Sequence, residues 1–412
     1  MYVLSNVSIF NGVDERLQEN MDVVIENENI SEIIPAGSRN FGNVRVINLK
    51  GKVLSPGFID CHQHFLCDEL PDPERQMNDQ TAGGVTLSNA DAFVAYRGAE
   101  KAKKTLYAGF TTAIDAGGVN YIEVALKDAV NMDYIEGPHI YIVGKQLKAW
   151  PSHFRGQGLE AYGAYGVRNF VRQQLYWGVD QIKIENCAPL RSVGRSMDKT
   201  AFTIEEIVAC TDEAHSAGLL VSAHARSPNS IYDALVGGVD LIAHGTAIDD
   251  RCIELMVKQG KYLLPTLSSP FREPPERVCM VRPKRQVDLL REQGRLHWEG
   301  IAHAYKSGVK IALSTDAGSM CNNHGDNATE MLRMREIGMS NLECIRAATS
   351  EAAKAMRLDK TGYIKAGFIA DIVVLEKNPI EVLETCLDVK MVIKSGRVVK
   401  NEFNKEKMYE VQ

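Results

Sequence analysis

Residues 203–244 read TIEEIVACTDEAHSAGLLVSAHARSPNSIYDALVGGVDLIAH, one helical pattern followed by two strand-like runs. Thr203 stands three residues before Glu206, the spacing of a capping box, in which each side chain satisfies a backbone N–H of the other end. The helical pattern runs over 204–217 and stops at Gly218. The apolar run 219–223 then leads into His224-Ala225-Arg226, and the run 240–244 ends on His244. A helix, a buried strand and a polar residue at the strand's end is the repeating unit of a parallel α/β fold.

The same unit recurs on both sides. Further strand candidates lie at 54–61, 111–116, 139–144, 181–185, 262–267 and 310–315, making eight with the two above, and helix-like stretches such as 250–259 separate most of them. Eight buried strands alternating with helices predict a (β/α)8 TIM barrel. Strand counting alone leaves a doubly wound open sheet as the alternative. The two ends of the chain read differently. Residues 1–52 hold short β-like runs with an Asn11-Gly12 turn, and 370–375 and 389–399 share that character. The expected organisation is therefore a catalytic barrel over 53–359, with a small β-sandwich domain built from both termini, 1–52 plus 360–412.

Composition bounds the function. The chain has 412 residues, 45% hydrophobic and 24% charged, which excludes a mostly disordered protein. A net charge of −6 and the lack of a basic block point away from nucleic acid and from membrane surfaces. No apolar run approaches the roughly 18–20 residues of a membrane span. The start, MYVLSNVSIFNGVDERL, has no basic segment followed by a long apolar one, so no signal peptide is expected. The nine cysteines include no C-x-x-C pair, which fits reduced thiols and a cytoplasmic protein. The expected partner is a small-molecule substrate; self-association as a homo-oligomer is left open.

The polar residues at the strand ends carry the chemistry. The first strand runs into Asp60-Cys61-His62-Gln63-His64. Histidines at i and i+2 of an extended segment point to one side, so both imidazoles can meet one ion; a pair of hydrogen-bonded loop histidines is the alternative. Lys183 sits inside the apolar run QIKIE at 181–185. Burial disfavours its charge, and a neutral amine can capture CO2 as a carbamate able to bridge two cations. Taken alone, the lysine reads more simply as a snorkelling edge lysine or one paired with Glu185. With His224, His244 and Asp316 of the eighth strand end, STDAG, these residues form a set for two divalent metal ions. Nitrogen and carboxylate ligands suit Zn²⁺, although Mn²⁺, Co²⁺ and Fe²⁺ accept similar sets. Cys61 and Cys187 flank ligands but read as small buried hydrophobes.

The stretches LSPGFIDCHQH, SAHA, IAHGT and LSTDAG, with the strand-four lysine, resemble the amidohydrolase superfamily. The run from FTIEEIVACTDEAHSAG to LLPTL is similar to its imidazolonepropionase-like branch, which includes prolidase-type dipeptidases and arginine or lysine carboxypeptidases. The resemblance implies a binuclear hydrolase of C–N bonds. His62, His64 and Asp316 would hold the more buried metal and His224 and His244 the second, with N-carboxylated Lys183 bridging. Cleavage would use a metal-bridging hydroxide, with Asp316 as proton shuttle. The substrate implied is a dipeptide or N-acyl amino acid; a cyclic amide, urea or carbamate is the alternative. His153 and His324 match loop histidines that contact substrate in relatives, and either can equally be a loop brace. Arg226 replaces the tyrosine common in peptidase-like relatives. It could assist the oxyanion, bind a substrate carboxylate, or form a structural ion pair.

Overall fold

The computed structural model describes residues 1–67, 91–149, 158–187, 200–269, 273, 274, 276–281, 283–319 and 321–403. The chain divides into two compact units: Met1–Asp60 with Lys103–Thr112 and Gly325–Gln412, and Cys61–Ala102 with Ala113–His324.

Eight parallel strands close into a ring. Gln181–Glu185, Leu220–Ala225, Leu241–His244, Tyr262–Leu264 and Lys310–Ile311 pair in succession. Phe58–Gln63, Phe110–Asp115 and His139–Ile142 form a second run in the same order. Backbone bonds join the two runs at both ends. Asp180 N donates to Ile142 O at 2.8 Å, and Ile184 pairs with Leu147 just beyond the third strand. On the other side Cys61 N donates to Leu313 O at 2.9 Å, and Asp316 N to His62 O at 2.8 Å. The architecture is a (β/α)8 TIM barrel, and the open sheet is excluded.

Local sequence explains the helices around it. Ile204–Ser216 begins on Thr203, and both bonds of the capping box to Glu206 form. Its buried residues Ile207, Cys210 and Ala214 recur at the helical spacing.

The other unit is a β-sheet domain. Strands from the start of the chain join strands from its end in one eight-stranded sheet, where Val53–Pro56 pairs antiparallel with Ile372–Leu375. Leu4, Ile9, Val23, Ile25, Leu54, Ile372 and Ile393 belong to its core.

The first strand differs from expectation. The apolar run 54–61 is two strands: Val53–Pro56 lies in the terminal sheet and Phe58–Gln63 in the barrel. Gly57 separates them, its N–H donating to Asp371 O at 2.8 Å. A Cβ at this position would fall inside the Thr111 side chain, so only glycine lets the chain pass. The eighth strand also ends early, at Ile311 rather than 315.

Candidate functional site

The strand ends of the barrel bring six of the expected residues to one place. His62 and His64 extend from the first strand on the same side. Asp316 Oδ1 lies 3.5 Å from Nε2 of each, and one ligand atom from each of the three fits within a 4.8 Å cluster. Lys183 is 1% exposed, with Nζ 3.2 Å from His62 Nδ1. The His244 ring centroid stands 5.4 Å from that of His62 and 4.3 Å from that of His224.

Backbone and neighbours fix the ring orientations. His64 Nδ1 donates to Gly117 O at 3.0 Å, which turns Nε2 toward Asp316. His244 Nδ1 lies 2.8 Å from Thr266 Oγ1. His244 and Asp316 have φ of 70° and 58°. Left-handed backbone in a non-glycine residue costs roughly 1–3 kcal/mol and clusters at functional sites. Here it re-aims a side chain at the end of a strand.

Burial sets the electrostatics. It drives His62 well below its ordinary pKa, with the Lys183 charge adding to the effect, and holds His64 at about 4. His244 is likewise pushed down by burial, then by His224 and Arg226. Neutral imidazoles are the form that ligates metals. Burial lowers Lys183 to about 7 against the pull of Asp316 and Glu185, so much of its amine is unprotonated near neutrality. Burial also raises Asp316, opposed by His64, Arg226 and Lys183. Donor types, spacing and protonation all fit a divalent metal centre.

The remaining candidates separate. His324 is buried, and its ring stacks on that of Phe65 with centroids 5.4 Å apart. Arg226 is partly buried with its Nε enclosed, and its N–H donates to Ser230 Oγ at 3.1 Å. His153 lies outside the described residues. Cys61 and Cys187 are buried free thiols, and burial raises the Cys187 thiol far above its usual range. Among the described residues Glu185 forms an ion pair with Lys148 at 3.3 Å, both side chains being 3% exposed.

Two features escaped the reading of the sequence. The Lys148–Glu185 pair joins neighbouring strand ends that no local pattern connects. His297 lies within the helix Lys284–Lys306, 4% exposed, with Nδ1 3.1 Å from Thr246 Oγ1. Nothing in the sequence separates it from His303 of the same helix, which is exposed and pairs with Asp250 at 2.6 Å.

A TIM barrel with convergent histidines, an aspartate and a buried lysine at its strand ends defines the class of metal-dependent hydrolases. Residues 53–399 match the Amidohydrolase family, and the chain belongs to it. The protein is an enzyme that hydrolyses C–N amide bonds of small molecules. It is 28% identical to ochratoxinase of Aspergillus niger over 381 residues, 84% of this chain and 76% of that one. A crystal structure of a Xaa-Pro dipeptidase with bound methionine in the active site superposes with a TM-score of 0.87 at 29% identity, covering 97% of this chain and 100% of the other. A prolidase complexed with N-methylphosphonate-L-proline gives 0.83 at 27% identity, covering 97% and 99%. Among the described residues no helix is long and apolar enough to cross a membrane.

Proposed function

We propose that this enzyme is a binuclear metal-dependent hydrolase of amides whose leaving amine carries a carboxylate, that is, of dipeptides or N-acyl amino acids. His62, His64 and Asp316 would hold one divalent ion, best suited to zinc. His224 and His244 would hold the second. Lys183, about half neutral near pH 7, would bridge them as its carbamate, formed by addition of the amine to CO2 with loss of a proton. The metals, when bound, supply Lewis acidity and a water acidified to near neutrality.

The chain's own residues do the rest. Asp316 accepts a proton on a carboxylate oxygen from the attacking water and returns it to the leaving nitrogen. Its raised pKa moves it toward the range in which a group does both. Arg226, directly after the strand Leu220–Ala225 that carries His224, takes the substrate carboxylate. The observation that supports this reading is position: Arg226 stands two residues past His224, at the end of the strand Leu220–Ala225, with its Nε enclosed. The bound methionine and the proline phosphonate of the two similar structures supply a second line of support.

The test is a substrate panel on enzyme stripped with a chelator and reloaded with zinc. It contains dipeptides, N-acyl amino acids, their C-terminal carboxamides, and cyclic ureas. Zinc-dependent hydrolysis favouring the free carboxylates is expected. Full activity in metal-free enzyme, or a preference for cyclic ureas and neutral amides, overturns the reading.

A further inference from the structure

The strand Phe110–Asp115 ends on a carboxylate that is 0% exposed, beside the strand Phe58–Gln63 that leads into His64. Both oxygens of Asp115 bind backbone. Oδ1 accepts from Gly117 N–H at 3.0 Å and Oδ2 from Phe65 N–H at 3.3 Å. Those two groups flank one further bond. Phe65 follows His64, and Gly117 supplies the carbonyl to which His64 Nδ1 donates at 3.0 Å. Asp115, Gly117, His64 and Phe65 thus close a ring of hydrogen bonds around a single histidine.

The surroundings hold this ring in place. Ala116 N donates to Gln63 O at 2.7 Å, and Gln146 Nε2 donates to Ala116 O at 3.1 Å. Gly117 has φ of 130°, a conformation that favours glycine, and a Cβ there would lie 2.7 Å from Gln146 Cγ. A Cβ on Gly118 would collide with Glu123 Oε2. Side chains therefore pack on both glycines and leave the Gly117 carbonyl little freedom.

A carbonyl only accepts, so Nδ1 of His64 carries the proton and Nε2 the lone pair, 3.5 Å from Asp316 Oδ1. The bond made by one ring nitrogen decides which way the other presents itself to an ion. The residue type at 115 follows from the same geometry. Both of its partners are N–H donors, so both side-chain atoms must accept. Asparagine would set an NH2 against one of the two N–H groups, and leucine would leave both unmet. Burying a carboxylate is costly, and a strand end does not by itself require one.

We infer that Asp115 is a positioning residue of the metal centre: by holding Phe65 N–H and Gly117 N–H on one carboxylate, it fixes His64 in the tautomer and direction that bind the ion. This goes beyond the function proposed above and rests on it only in taking His64 as a ligand.

The test measures zinc affinity of the full chain by competition with a chromophoric chelator, for wild type, Asp115→Asn, Asp115→Leu and Asp22→Asn, with the melting temperature of each. Asp22 is the control. It is 2% exposed and accepts from two backbone N–H groups in the same manner, Asn6 at 3.0 Å and Gly37 at 3.2 Å, but in the terminal sheet. Both Asp115 variants are expected to bind zinc about 10–100-fold more weakly, the usual loss when the support of a ligating histidine is removed. Asp22→Asn should stay within about twofold of wild type, whatever its melting temperature. A second measurement needs no variant. Zinc loading of wild type should slow amide hydrogen exchange at Gly117 and Phe65 at least about tenfold, because metal binding and the order of this ring favour each other reciprocally. Exchange at Asn6 and Gly37 should not change.

Zinc affinity unchanged in both Asp115 variants, an equal loss in Asp22→Asn, or unmoved exchange at Gly117 and Phe65 overturns the inference and leaves Asp115 a strand-end brace. Should the Asp115 variants fail to fold, the wild-type exchange decides. If wild type holds one zinc ion rather than two, the binuclear reading fails and the same comparison on that ion decides the role of Asp115. Wild type that takes up no zinc removes both.

Discussion

Lys183 sits where the ordinary fates of a buried lysine are closed. It does not reach solvent, and Glu185, the carboxylate two residues along the strand, is engaged by Lys148. Its amine instead lies beside His62 Nδ1 in the ligand cluster. Removing it should change metal stoichiometry before anything else. Lys183→Ala is expected to bind fewer than two zinc ions per chain by elemental analysis and to lose at least about 100-fold in kcat, the scale at which removal of a transition-state electrostatic group is felt. Two tightly held ions in the variant would contradict a bridging role. At this scale the sequence was most informative where a polar residue interrupts or ends an apolar strand. His62, His64, Lys183, His224, His244 and Asp316 all have that signature, because burial makes such a residue conspicuous. His297 lacks it. A histidine on a long amphipathic helix looks the same whether it faces solvent or a pocket, and only packing on the Thr246 segment distinguishes it from His303.

Elements place these residues, and their boundaries are the less legible part. The helix 204–217 was readable nearly to the residue because the Thr203–Glu206 box and Gly218 mark its ends with specific chemistry. The first strand was not, because 54–61 is apolar throughout and burial in two different sheets leaves the same trace. The break depends on a contact distant in sequence, Gly57 against Thr111. Gly57→Ala should therefore destabilise the protein by about 1–3 kcal/mol, the usual cost of overpacking a well-filled site. Urea unfolding of Gly57→Ala, Thr111→Gly and the double variant tests the cause. The double variant should lose less than the sum of the single changes, since residues in contact couple. Strict additivity would show that the space beside Thr111 is not what demands glycine.

For the molecule as a whole, net charge and composition describe an ordinary globular chain and say nothing of where charge is buried. The barrel unit holds two carboxyl groups away from its ligand cluster. Asp115 accepts from the N–H of Gly117 at 3.0 Å and of Phe65 at 3.3 Å, fixing the segments on either side of the His64–Gly117 bond. Glu123 is 0% exposed, and neither of its oxygens has a hydrogen-bond partner among the described residues. Burial, reinforced by the Asp115 charge, raises Glu123 to about 8, and burial raises Asp115 to about 6. Both groups hold protons in the folded state that they release when unfolded. Between about pH 4.5 and 8 the native chain thus binds more protons than the unfolded one at Glu123, and its stability falls as pH rises. Glu123→Gln keeps the shape and removes the titration. The variant should gain on wild type with rising pH, by more than about 1.4 kcal/mol between pH 5 and 8.5, since a tenfold difference in proton affinity between the folded and unfolded chain is worth that much. Urea midpoints at the two pH values measure the difference. A gap between variant and wild type that does not widen with pH would mean that Glu123 is ionised and stabilised in the fold by partners outside the described residues.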